Sequence, residues 1–227
     1  FYPLHMFFVT DAGTERWNFG LGIYSQWGNG RDWDADGAGG FERNLDEVDL
    51  ITVTIEPSVT YEIMDDLYVA ATLQVIASKI NFTASPESAS FSGIVDVDDI
   101  DLSADGTGTG YGLAVYWEPC DPIQVGLTYR SEVTIDYEGH AEANDISPAL
   151  VAPGVSFQTL AGGRSSFETD LETEIHLPAQ VSLGVAYKIS DKWLVEVDCN
   201  YTGWQSFRNL SVDLNTEIAG IGFTEER

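Results

Sequence analysis

No apolar run in this sequence approaches the ~18 residues that a membrane-crossing helix needs, which excludes a helical membrane protein. Basic side chains are scarce, with 10 Lys and Arg against 37 Asp and Glu and a formal charge of −27. Such a field repels phosphate backbones and excludes a nucleic-acid partner; it reads otherwise as acidic loops, a salt-rich habitat or loop cation binding. The 2 cysteines, Cys120 and Cys199, are too few for the disulfide framework of a small secreted domain and have no metal-site spacing. Phe1-Tyr2-Pro3-Leu4 carries no initiator Met, basic n-region or cleavage site, which places any signal peptide outside these residues.

What is present is alternation. Ile123, Val125, Leu127, Tyr129, Val133, Ile135 and Tyr137 alternate with Gln124, Thr128, Arg130, Glu132, Thr134, Asp136 and Glu138, and Ser131 alone interrupts the apolar set. A period of two is that of a β-strand. The pattern recurs over 50–63, where Ile51, Val53, Ile55, Val59 and Tyr61 oppose Thr52, Thr54, Glu56, Ser58 and Thr60. It recurs again over 173–187, where Ile175, Leu177, Val181, Leu183, Val185 and Tyr187 oppose Glu174, His176, Gln180 and Ser182.

At ~3.3 Å per residue the 122–138 strand reaches roughly 55 Å, against ~17–20 Å for a usual globular strand. A soluble sandwich has no use for such lengths, whereas a strand tilted by about 40° in a membrane barrel must cross the hydrocarbon. Glutamates and an arginine are costly in a sandwich core but are solvated in a watery lumen. The expectation is apolar outward and polar inward along each whole segment.

Short turns at 11–15, 64–66, 118–122 and 190–192 alternate with long polar stretches at 29–47, 82–107 and 140–166. In outer-membrane barrels the short turns face the periplasm and the long loops face outside. Trp17, Trp117 and Trp193, each beside a short turn, then form a periplasmic aromatic girdle. The fold expected is all-β: a transmembrane antiparallel up-and-down β-barrel, one domain over 1–227. About eight strands fall at 2–10, 17–27, 49–63, 67–80, 108–117, 122–138, 167–187 and 193–213.

The run Gly126-Leu127-Thr128-Tyr129-Arg130-Ser131-Glu132-Val133-Thr134-Ile135-Asp136 resembles the hallmark strand of FadL-type outer-membrane fatty acid transporters. Leu177-Pro178-Ala179, Trp193 and Tyr201-Thr202-Gly203-Trp204-Gln205-Ser206-Phe207 follow in the family's order, and Trp17 through Gly28 is similar to its third strand. The resemblance implies a fourteen-stranded barrel of the bacterial outer membrane, of which this chain holds about the second to ninth strands. The N-terminal hatch and the C-terminal strands would then lie outside it.

The resemblance also implies a function: hydrophobic small molecules such as long-chain fatty acids are caught among the outer loops and released sideways through the wall. By position, the kink that opens the wall falls at Ser25, Gln26, Trp27 and Gly28. The stretch 145–161 is unusually apolar for a loop and supplies Phe157 and Leu160 as candidates for capture; the competing view packs it on the 82–107 loop. Arg130 is the candidate for holding a carboxylate, against the alternative that it pairs with Glu132 at the next inward position. Tyr24 and Tyr116 point inward by parity and line a pocket or simply fill the lumen.

Asp32-Trp33-Asp34-Ala35-Asp36-Gly37 starts like a calcium loop, but Arg43 occupies the place of the bidentate Glu, which argues against an EF-hand. The cluster Asp96, Asp98, Asp99 and Asp101 suits at most loose divalent binding, so neither metal nor cofactor is expected. The alternative functions are an outer-membrane enzyme, a lipid hydrolase or protease using His140 with Glu142 and Asp145, and a structural or adhesive barrel. No spacing shows an oriented nucleophile, so the chain is read as a non-enzyme. The partners expected are a hydrophobic ligand and outer-membrane lipid around a monomer.

Overall fold

The computed structural model describes residues 5–32, 47–84, 99–144, 150–152, 155–156, 163, 165–206, 212–214, 217–218 and 221–222. Its strands are β1 (His5–Thr10), β2 (Trp17–Tyr24), β3 (Gly28–Asp32), β4 (Glu47–Met64), β5 (Leu67–Ala84), β6 (Asp99–Cys120), β7 (Ile123–Arg130) and β8 (Val133–Asn144). They continue with β9 (Leu150–Ala152), β10 (Val155–Ser156), β11 (Phe167–Leu177), β12 (Gln180–Ser190), β13 (Trp193–Thr202), β14 (Val212–Leu214), β15 (Glu217–Ile218) and β16 (Ile221–Gly222). Twelve of these form one antiparallel sheet, and among the described residues it does not close on itself. No helix of the described residues is long and apolar enough to cross a membrane.

The expected long strands are present, but three of them break, all near one level. Between the pairs Gly108–Ile135 and Gly112–Arg130 the β6 side advances 4 residues and the other side 5, a one-residue bulge at Ser131–Glu132. Ser131 repairs the ladder there: its N–H donates to the Tyr111 carbonyl at 2.9 Å, and its hydroxyl accepts from the Tyr111 N–H at 3.0 Å. The paired strand breaks opposite, at Pro178–Ala179, where proline has no N–H to give a ladder. The third break, Ser25–Trp27, separates β2 from β3 with a further one-residue shift against β4.

These breaks overturn the expectation of one apolar face along each segment. Below them, toward the short turns, Val125 and Leu127 share an outward face with Val181, Leu183 and Val185, and Thr128 and Arg130 lie inward. Above them the faces exchange. Val133, Ile135 and Tyr137 turn inward and pack with Ile76, Ala104, Leu171, Ile175 and Leu177, with Ile135 wholly buried. Asp136, Glu138, Glu172 and Glu174 turn outward and are exposed. The expected loop at 82–107 is shorter than supposed, because Asp99–Thr107 extends β6 with small or apolar residues inward and Asp101 and Asp105 outward.

Glycine makes the inward packing possible. Gly106 and Gly108 lie on the inner face of β6, and the side chains of Val133, Ile135 and Tyr137 lean over them. A Cβ at Gly108 would lie 2.5 Å from the Thr134 carbonyl oxygen and 2.7 Å from Val133 Cγ1, against backbone that cannot retreat. Gly108→Ala is therefore expected to cost about 1–3 kcal/mol, read as a lowered denaturant midpoint of the folded barrel in detergent.

The outward apolar belt runs on β5 from Leu67 through Leu73 and Val75 to Ala77, and Lys79 follows. Ten residue steps at ~3.3 Å, tilted by about 40°, give roughly 25 Å of height, the thickness of an outer-membrane apolar band. Trp17, Trp117 and Trp193 are exposed at its lower edge.

Candidate functional site

The inner face of the belt region is polar, and its alternation places Tyr24, Glu56, Thr72, Gln74 and Arg130 on one side of β2, β4, β5 and β7. Register brings them together: Thr72 opposes Gly112, and Gly112 opposes Arg130. The Tyr24 hydroxyl donates to the Glu56 carboxylate, and Arg130 Nη2 lies 4.0 Å from the same Glu56 oxygen. Glu56 is thus the partner of Arg130. Glu132, the partner expected from spacing, instead lies 3.6 Å from His176 Nδ1, because the bulge turns it away from the face that carries Arg130.

A cavity of about 270 Å³ opens over this group. Phe7 supplies apolar wall over Gly22, and it stacks on Tyr24 with ring centroids 6.0 Å apart. The Thr72 hydroxyl on its lining and the nearby Thr54 hydroxyl and Gln74 amide nitrogen are buried without a hydrogen-bond partner among the described residues. Buried polar groups of this kind are ordinarily satisfied by protein, water or ligand.

The break at Ser25–Trp27 forms a second cavity of 250 Å³ with Gly28, Asn29, Gly30, Asp49, Leu50 and Ile51. Its segment reaches across to β12 and to the turn that follows β13. Gln26 Nε2 donates to Gln180 Oε1 at 2.8 Å, and the Trp27 ring meets the Trp204 ring edge-on with centroids 6.0 Å apart. Trp27 is fastened to β4 by its N–H, which donates to Thr52 Oγ1 at 3.2 Å, while that hydroxyl donates back to the Trp27 carbonyl.

The structure therefore brings Tyr24 and Arg130 together, and places Ser25, Gln26, Trp27 and Gly28 beside a break in the wall. Tyr116 shares the inner face but lies nearer the short turns, where its hydroxyl donates to Glu118. Phe157 and Leu160 lie outside the described residues, as do Asp145 and most of the acidic loop clusters. His140 is exposed opposite Asp170. Sequence reasoning missed Glu56; its inward parity was visible, but nothing local in sequence points across the sheet to Arg130.

The profile of the outer membrane protein transport family (OMPP1/FadL/TodX) matches residues 4–225. The long-chain fatty acid transport protein of Salmonella typhi is 22% identical over 213 residues, covering 87% of this chain and 47% of that protein. A Pseudomonas aeruginosa FadL homologue of known structure superposes with a TM-score of 0.73 at 18% identity, over 92% of this chain and 50% of the other. The Pseudomonas putida toluene transporter TodX gives 0.67 at 17% identity, over 95% and 58%. The chain thus spans about half the length of the relatives it matches.

Proposed function

Because this chain belongs to the OMPP1/FadL/TodX family of outer membrane transport proteins of bacteria, we propose that it carries hydrophobic small molecules, fatty acids or aromatic hydrocarbons, and releases them sideways through its wall. The family is one of transporters, and a barrel with a lipid-facing apolar belt is at home in the outer membrane. The finer steps are inferred from geometry. A hydrophobic solute crossing a polar headgroup layer needs apolar surface outside and an exit into hydrocarbon, with no energy source for the exit itself.

The observation that carries the exit is the break at Ser25–Trp27. It lies within the wall at the top of the apolar belt, holds a 250 Å³ cavity, and is bounded by side chains rather than by a continuous ladder. Arg130, Glu56 and Tyr24 supply the polar end of an inner binding site, and Phe157 and Leu160 remain the proposed capturing surface. The test joins Gln26→Cys to Gln180→Cys with a short bifunctional thiol reagent in the full-length protein, after Cys120 and Cys199 are replaced by Ser. Cross-linking is expected to lower uptake of a hydrophobic probe about tenfold while leaving its binding to the purified protein intact, a split that separates exit from capture. Unchanged uptake after complete cross-linking would place the exit elsewhere.

A further inference from the structure

We infer that the cavity over Arg130 selects uncharged apolar molecules and rejects ionised acids, an inference that rests on the transport reading and narrows its cargo. Of the described residues lining that cavity, Arg130 and Glu56 carry full charges, and they are 4.0 Å apart. A carboxylate entering beside Arg130 also enters beside Glu56. Attraction and repulsion then act over similar distances and cancel, leaving the cost of stripping water from the incoming anion unopposed. An uncharged molecule meets no such cost, and its apolar body gains contact with Phe7 and the Tyr24 ring.

The remaining features point the same way. A volume of 270 Å³ suits one ring or a short alkyl segment. The field outside is also hostile to anions: above the apolar belt, strand-borne carboxylates such as Asp105 and Glu138 are exposed, on a chain of formal charge −27. Such a field lowers the local concentration of anionic solutes at the entrance.

The test measures retention of radiolabelled 1-decanol and decanoate at pH 8 by the purified full-length protein in detergent, corrected for empty micelles. At that pH the acid is ionised. The wild type is expected to bind 1-decanol at least about tenfold more tightly than decanoate, and Glu56→Gln is expected to raise decanoate affinity by about tenfold with little effect on the alcohol. Decanoate bound as tightly as the alcohol by the wild type would overturn the inference and leave the transport reading standing. Retention of neither probe would bring down both. If Glu56→Gln does not fold, the wild-type ratio still decides.

Discussion

Ile135→Asp is expected to destabilise the folded chain by at least about 3–5 kcal/mol, whereas Asp136→Asn at the next residue changes stability by less than about 0.5 kcal/mol. Ile135 is wholly buried among Ile76, Val133, Tyr137 and Ile175, so a carboxylate there has neither partner nor water. Asp136 is exposed on the opposite face. Urea titration of the detergent-folded protein, followed by its gel-mobility shift, measures both. The contrast is sharp because a barrel without the bulge at Ser131–Glu132 predicts the reverse assignment: Ile135 would face lipid and Asp136 the lumen. Equal, small effects of the two substitutions would refute the inward turn of Val133, Ile135 and Tyr137.

Leu183→Arg is the second large effect. Leu183 lies below the break at Pro178–Ala179, on the outward face, opposite Leu127 and Cys199, and 42% of it is exposed. Exposure at that height means contact with lipid, and an arginine near the middle of the bilayer costs about 2–4 kcal/mol. The matching inward substitution, Ser182→Arg, meets the polar face that carries Asn200 and is expected to cost far less. The same folding titration in lipid vesicles reads the difference. Comparable losses at both positions would mean that the belt does not face hydrocarbon below the break.

Strand character and the rhythm of short and long connections were legible because alternation and turn chemistry are local. So were the lower halves of the long strands, where Ile123 to Tyr129 and Val181 to Tyr187 face outward as the period of two requires. The upper halves were not, for a specific reason. At Ser131–Glu132 the bulge exchanges the faces, and at the same level the outside changes from lipid to water while the inside changes from polar to packed apolar. Two reversals cancel, so apolar residues continue at odd positions from Ile123 to Tyr137 and the sequence shows only Ser131 as a blemish. Asp99–Thr107 was read as loop because its outward positions include Asp101 and Asp105 and its inward ones end in Ala104 and Gly106, small residues that give little alternation.

Within the candidate site, the inward facing of Tyr24 and Arg130 was legible by parity, and the strand is interrupted at Ser25–Trp27, where the resemblance places a kink. The pairing of Arg130 was not. Glu132 is its neighbour in sequence, yet Glu56 reaches it from β4 across β5 and β6, a relation set by sheet register and curl rather than by spacing. Glycines 106 and 108 carry no meaning in the sequence, and their role shows only in the side chains that lean over them.

The acidic upper rim bears on how the protein reaches its place. A chain delivered from the periplasmic side has to pass Asp101, Asp105, Glu138, Glu142, Asp170 and Glu172 through the hydrocarbon before they emerge beyond it. Each carboxylate crossing a bilayer core carries a penalty on the order of 2–3 kcal/mol, so unassisted insertion is slow. The same charges oppose withdrawal, where the stability of the inserted barrel adds to their cost. Once the rim is across, withdrawal demands that all these charges return together, and the rim acts as a latch that makes insertion one-way.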